Sequence, residues 1–350
     1  MLYRTPNPHG GDIYTDEIRL DFSSSVNPLS TPPAVLQALH DAVPLSIHYP
    51  DPYCRKAVAA ISAYEGVPER SILLGNGAAE LIYAFCSAAA PRKALVPVPS
   101  FSEYESALQA VGCEVLYHHL LPEKDFLADE TLLEAIRGSG ADTVFLCHPN
   151  NPTGRLLPPD LSDKIITLCE NSSVRLFLDA CFLDLTDSTS DINNLLDSHP
   201  HLFILKALTK SFALPGVRVG YCLTADHDLL SAMARTIQPW NVSVFAQAAV
   251  PAAFQDTSFL TEAVRLIKRE RKYLTDSLSG LGFSVCLSDT NFILFRGPAD
   301  LDIALRKKGI AIRNCANFPG LGTGWYRIAV RIHEENEALI SAIRELGIRN

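Results

Sequence analysis

Between residues 71 and 221 short apolar runs alternate with longer segments of helical character, and this alternation restricts the fold more than any other feature of the chain. Ser71–Leu74, Ala94–Pro99, Thr143–Cys147, Val174–Asp179 and the run that starts at Phe203 read as strands too apolar to face water on either side. Strands of that kind, separated by helices, pair in parallel and are covered on both faces. The expectation is an α/β fold whose ligand crevice lies at the carboxyl edge of a mainly parallel sheet. Beyond Ala225 the pattern changes to a long amphipathic helix over 261–281, several short strands and a terminal helix over 335–346, a smaller α+β unit. The cations Arg265, Lys268, Arg269, Arg271 and Lys272 on the long helix are expected to form a solvated face. A chain of 350 residues has room for two cores. We expect 1–40 to be an arm with part of the small domain, 41–235 a large ligand-binding domain and 236–350 the small domain.

Bulk properties exclude several function classes. A net charge of −9 leaves no basic footprint for nucleic acid. The nine cysteines are scattered, with no Cys-x-x-Cys pair, which favours reduced thiols in a cytoplasmic protein over disulfides or a metal site. The amino terminus has no apolar signal core, and no run of about 18 apolar residues exists to span a membrane.

The richest stretch runs from Phe203 to Tyr221. It joins an apolar run to Thr209-Lys210-Ser211, a Pro215-Gly216 turn and the cationic segment Val217-Arg218-Val219-Gly220, read as a strand. An amine beside small hydroxyls, followed by a guanidinium, suits an aldehyde cofactor that carries a phosphate: the amine condenses with the aldehyde and the arginine pairs with the dianion. Pyridoxal phosphate is such a cofactor. Upstream, Gly75-Asn76-Gly77-Ala78-Ala79 joins a strand to a helix, either as a plain tight turn or as a phosphate cradle of free N–H groups. Phe101 at a strand end could stack on a planar cofactor or fill the core. Asn151, in Asn-Asn-Pro-Thr-Gly, belongs either to a plain turn or to a rigid loop at the strand's carboxyl end that aims its amide into the ligand crevice. Asp179 closes an apolar strand, where a buried carboxylate needs a partner such as a protonated ring nitrogen, unless it is a helix cap. His9 lies beside Gly10-Gly11 in a Pro-, Gly- and Ser-rich arm, as a loop residue or an anion contact.

In this order the residues Gly75–Ala79, Phe101, Asn151, Asp179, Lys210 and Arg218 make the chain resemble the fold-type-I enzymes of the aspartate aminotransferase superfamily, which use pyridoxal phosphate. The resemblance covers nearly the whole chain. It implies that Gly77, Ala78, Ala79 and Arg218 hold the phosphate, Phe101 stacks on the ring, Asn151 bonds its phenolic oxygen, Asp179 pairs with its nitrogen, and Lys210, next to Thr209, anchors the aldehyde. It also implies a homodimer with shared active sites, Tyr49 reaching the neighbour's phosphate. Phe182 stands where many aminotransferases have a tyrosine, which removes one donor to the phenolic oxygen.

Two subgroups are similar. Histidinol-phosphate aminotransferases share Tyr49-Pro50, the Asn-Pro-Thr-Gly turn, the stretch from Thr209 to Gly216 and Ser288–Phe292. The threonine-phosphate decarboxylases of cobalamin biosynthesis share these and also fit at both ends, at His9-Gly10-Gly11, Asn27-Pro28-Leu29 and from Arg313 through Arg331. The ends favour decarboxylation of a small phosphorylated amino acid, O-phospho-L-threonine or O-phospho-L-serine, with His9, Arg313, Arg327 and Arg331 as substrate-binding residues. Strand alternation would put Arg327 and Arg331 on one face, where both could instead be surface charges. A catalytically silent sensor on the same fold is the alternative outside enzymology.

Overall fold

The computed structural model describes residues 9–188, 192–256 and 258–347. The first eight residues of the expected arm lie outside the described residues. In chain order the strands are β1 (Leu20–Asp21), β2 (Ile72–Gly75), β3 (Lys93–Val98), β4 (Glu114–His119), β5 (Thr143–Cys147), β6 (Arg175–Asp179), β7 (Leu202–Ala207), β8 (Gly220–Thr224), β9 (Ser284–Val285), β10 (Phe292–Arg296), β11 (Ile310–Ala311), β12 (Arg313–Asn314) and β13 (Trp325–Ala329). Seven form one sheet in the order β2-β8-β7-β6-β5-β3-β4. Only β8 runs against its neighbours, so the sheet is mainly parallel as expected. The alternating, half-exposed edge strand β4 gave too weak an apolar signal to be read from the sequence.

Period-two alternation builds a core on each face. Phe145, Phe177 and Phe203 are cross-strand partners on β5, β6 and β7 and stack at 4.5 and 4.9 Å between centroids. Their neighbours Leu146, Leu178 and Ile204 point into the opposite core. Each buried side chain of this size contributes about 1.5–3 kcal/mol, enough to fix register, because a one-residue slip would turn all of them over. Helices such as Ala78–Ala89 and Pro159–Asn171 cover the two faces.

The second sheet, β12-β13-β10-β9, is antiparallel and packs its own core of Phe283, Phe295, Ile328 and Val330 against helices Phe259–Gly280 and His333–Glu345. The arm adds β1 to β11 in parallel. On the long helix Arg265, Lys268, Arg269 and Lys272 are exposed, but Arg271 is half-buried and donates to the Thr290 carbonyl at 2.9 Å, so the expected solvated face is incomplete. Among the described residues no helix is long and apolar enough to cross a membrane.

Register places the chemistry. Cys147, Asp179 and Leu205 are lateral partners at the carboxyl ends of β5, β6 and β7. The Asn151 turn, Asp179 and the Lys210 turn therefore emerge side by side. Because β8 is antiparallel, its first residue Gly220 lies opposite Gly75 and Ala207. The segment entering β8, with Arg218, is thereby brought to the edge where the Gly75–Ala79 turn leaves β2.

Candidate active site

A cleft of about 410 Å³ opens at this edge, lined among others by His9, Ala78, Ala79, Phe101, Asn151, Asp179, Thr209, Lys210, Arg218, Arg313 and Arg327. Residues separated by most of the chain's length meet here.

One end is a cradle. Gly77 has φ +79°, a conformation that favours glycine. A Cβ at Gly77 would strike the Arg218 guanidinium, and one at Gly220 would come within 2.8 Å of the Ala78 nitrogen. Helix Ala78–Ala89 begins at this point, so its first N–H groups and the guanidinium converge on a space kept open by missing side chains. That is the environment a phosphate requires. Glu80 secures the turn, accepting from the Asn76 N–H and the Asn241 amide, both at 2.6 Å. Arg218 is not in a strand as expected: β8 starts at Gly220, and Arg218 sits in the preceding turn at φ +61° with Nη1 donating to the Pro215 carbonyl at 3.1 Å. The left-handed turn is what aims the side chain back at Gly77.

At the floor, Asp179 is buried and accepts from the Tyr104 hydroxyl at 2.5 Å and the Cys181 N–H at 2.9 Å. Burial pushes its carboxyl up, while these bonds and the Lys210 charge pull it down. The Tyr104 hydroxyl and the Cys181 N–H are neutral donors, which leaves the carboxylate suited to a cationic ring N–H. Lys210 is half-buried on the one-turn helix Leu208–Ser211. Burial, with Arg327 and then Arg218 nearby, lowers its amine to about 8, so about a tenth is neutral and nucleophilic at pH 7, far more than for an ordinary lysine. Phe182 also lines the cleft, its ring centroid 5.7 Å from the Lys210 Nζ. Phe101 sits edge-on to Tyr104 at 5.6 Å and borders the cleft, so it serves both the core and the site.

The other end is cationic. Arg313 and Arg327 are direct cross-strand partners on β12 and β13. Arg327 donates through Nη1 to the Asn151 Oδ1 and through Nη2 to the Ser23 carbonyl at 3.0 Å, and its buried Nε has no hydrogen-bond partner among the described residues. With Oδ1 accepting from Arg327, the Asn151 amide is turned so that its Nδ2 can donate to a ligand. Arg313 is held by the Asn317 side chain at 2.9 Å and by the face of Phe318 at 5.0 Å. At the mouth, the His9 Nε2 meets Glu103 Oε1 at 2.9 Å, and that bond more than any other cause holds the Glu103 carboxyl down.

Two expected residues lie elsewhere. Arg331 follows the end of β13 and does not line the cleft; it pairs with Glu335 at 2.8 Å. Its expected placement beside Arg327 on one strand face fails because the strand ends at Ala329 and the chain turns into the terminal helix. Tyr49 is 77% exposed and stacks on Trp240 at 4.4 Å, away from this cleft. Sequence reasoning passed over Tyr104, Glu103, Phe318 and Asn27. Of these, Asn27, in the Asn-Pro motif of the arm, and Phe318, in the stretch from Arg313 to Arg331, lay within motifs already singled out.

The donor set fits pyridoxal phosphate: a cradle that a Cβ would fill, an amine with a lowered pKa, and a buried carboxylate with no ion pair among the described residues. The aminotransferase class I and II family model matches residues 17–343. Threonine-phosphate decarboxylase of Salmonella typhimurium is 33% identical over 350 residues, covering 97% of this chain and 96% of the relative. A histidinol-phosphate aminotransferase of Desulfitobacterium hafniense is 31% identical over 353 residues, covering 98% and 95%. Among solved structures, the histidinol-phosphate aminotransferase from Clostridium acetobutylicum matches with a TM-score of 0.87 at 31% identity, covering 93% of this chain and 98% of that one.

Proposed function

The chain belongs to the aminotransferase class I and II family and is a pyridoxal-phosphate enzyme, and from that premise we propose that it decarboxylates O-phospho-L-threonine to an aminopropanol phosphate in cobalamin biosynthesis. The observation that carries this reading is the charge inventory of one cleft. Beyond the phosphate cradle at Arg218, it holds two further guanidinium groups, Arg313 and Arg327, with His9 paired to Glu103 at the mouth, and the two guanidiniums suit a substrate with two anionic groups, a phosphate and a carboxylate. Histidinol phosphate offers only the first.

In this reading Gly77, Ala78, Ala79 and Arg218 hold the cofactor's phosphate, Asp179 its ring nitrogen, Asn151 its phenolic oxygen and Lys210 its aldehyde carbon. Phe101 and Thr209 border the ring. When bound, the cofactor withdraws electrons from whichever α-carbon bond lies perpendicular to its plane. The protein's task is to choose that bond. Arg313 and Arg327, fixed by Asn317, Phe318, Asn151 and Ser23, hold the substrate's anionic groups so that the carboxylate is the one turned out of plane. Carbon dioxide leaves, its bonding pair stays with the α-carbon, and Lys210 Nζ is the group placed to return one proton there. O-phospho-L-serine differs by one methyl, worth about 1–3 kcal/mol of discrimination in an apolar pocket.

The same proposal includes a homodimer. Val43, Leu45, Ile47, Tyr49 and Tyr53 are all at least 50% exposed along one short segment, an apolar strip that favours a covering partner. A second copy would cover it and bring Tyr49 to the neighbouring site.

The test is incubation of the cofactor-loaded protein with O-phosphothreonine and no keto acid. Carbon dioxide and phosphorylated amine released in equal amounts over many turnovers are expected. Glutamate formed from histidinol phosphate and 2-oxoglutarate, with no carbon dioxide from phosphothreonine, would make the enzyme an aminotransferase, the reading favoured by the solved relative at TM-score 0.87. Cofactor binding without any turnover would point to a sensor.

A further inference from the structure

The arm is bonded to the backbone that carries Lys210. Helix Leu208–Ser211 is a single turn, so few successor N–H groups are placed to bond its carbonyls. Phe212 N–H takes the Leu208 carbonyl at 3.1 Å, and Ala213 N–H reaches that of Lys210 at only 3.3 Å. The arm supplies the rest. Asn27 N–H donates to the Lys210 carbonyl at 2.9 Å, its Nδ2 donates to the Ser211 carbonyl at 2.7 Å, and Thr31 Oγ1 donates to the Ala213 carbonyl at 2.9 Å.

Asn27 is 1% exposed and all its polar groups are used: Oδ1 accepts from Leu29 N–H at 2.9 Å and its carbonyl from Ser30 N–H at 3.2 Å. Ala213 is held at φ +51°, a left-handed conformation that a residue with a Cβ keeps only when its surroundings impose it. The arm is itself tied to the second sheet. Its Phe22 carbonyl accepts from Ala329 N–H at 2.8 Å, Ser23 from Arg327, and Val26 from Asn291 Nδ2 at 3.1 Å. One continuous segment thus links an anion-binding arginine to the lysine turn.

We propose that Asn27 and Thr31 are positioning residues for Lys210, capping its turn from the arm and fixing where its amine stands relative to the cofactor cradle. This rests on the reading of Lys210 as the cofactor's anchor but not on any choice of substrate. A lysine stem is flexible, so the peptide beneath it sets which positions the amine samples, and a displacement of about 1 Å costs about 100-fold in rate for a reaction that depends on such placement.

The experiment uses cofactor-free protein and follows the visible absorbance as pyridoxal phosphate is captured, across a pH series. In the wild type the rate is expected to rise with pH to a midpoint near 8, where the amine becomes neutral. Asn27→Ala removes the Ser211 contact, and Thr31→Val removes the Ala213 contact while keeping the side chain's shape. Capture slowed about tenfold in Asn27→Ala and about threefold in Thr31→Val, with the midpoint displaced, is expected. Wild-type rate and midpoint in folded Asn27→Ala would overturn the proposal, even with a lowered melting temperature, because that is the signature of a structural role alone. If Asn27→Ala does not fold, Thr31→Val decides, and wild-type capture there overturns it equally. Visible absorbance in a Lys210→Ala control would instead remove the premise that Lys210 is the anchor.

Discussion

Replacing Tyr104 with Phe removes a single hydroxyl from the floor of the cleft. Tyr104 is fully buried, and its ring packs on Phe101, Phe145 and Phe177 at 5.6, 5.5 and 6.1 Å, contacts that a phenylalanine ring repeats. Only the hydroxyl is lost, and with it the bond to Asp179 and the contact with the Cys147 thiol. A hydrogen bond to a charged group is worth about 1.5–3 kcal/mol, and each 1.4 kcal/mol or so is tenfold in a binding constant. Burial already raises the Asp179 carboxyl, and the tyrosine is one of the groups holding it down. Without it, less of the carboxylate is available to pair with a ring N–H, so pyridoxal phosphate should bind about 10- to 150-fold more weakly, read by absorbance titration of the cofactor-free protein. Stability gives a second readout with a definite sign. A carboxyl raised in the folded state carries no penalty at low pH, where both states are protonated, and its full penalty above its folded pKa. The extra destabilisation of Tyr104→Phe should therefore be present at neutral pH and shrink on acidification. Cofactor affinity within about twofold of wild type, or a stability difference that ignores pH, would refute the reasoning.

Gly77→Ala should lose about tenfold or more in cofactor affinity, because the new Cβ meets the Arg218 guanidinium at a φ that alanine resists; equilibrium dialysis would reveal unchanged affinity if the cradle is elsewhere. Arg327→Ala should raise KM or abolish turnover, whereas Arg331→Ala should change KM less than about threefold, since the Glu335 ion pair it loses is a half-exposed one; steady-state kinetics showing the reverse order would return Arg331 to the site. Mixing Tyr49→Phe with Lys210→Ala chains should restore activity at one site per dimer if Tyr49 acts on its neighbour, and no restoration would place its role within its own chain.

The sequence carried most of the large sheet and its crevice because those signals are local. Period-two apolar runs, the Gly75–Ala79 turn, the Asn151 turn and the hydroxyl-flanked Lys210 each act through residues within a few positions of one another, and their order along the chain already names the family. Other features required the closed tertiary structure. Tyr104 bonds Asp179 across 75 positions, Asn27 reaches Ser211 across 184, and Arg327 reaches Asn151 across 176. No short-range pattern encodes such a pair, since each partner alone is an ordinary polar residue. The antiparallel course of β8 decided that Arg218 faces the Gly77 turn, and the end of β13 at Ala329 decided that Arg327 enters the cleft while Arg331 does not. Strand direction and strand end are set by packing and hydrogen-bond closure over the whole sheet, so they become fixed only when the distant segments meet.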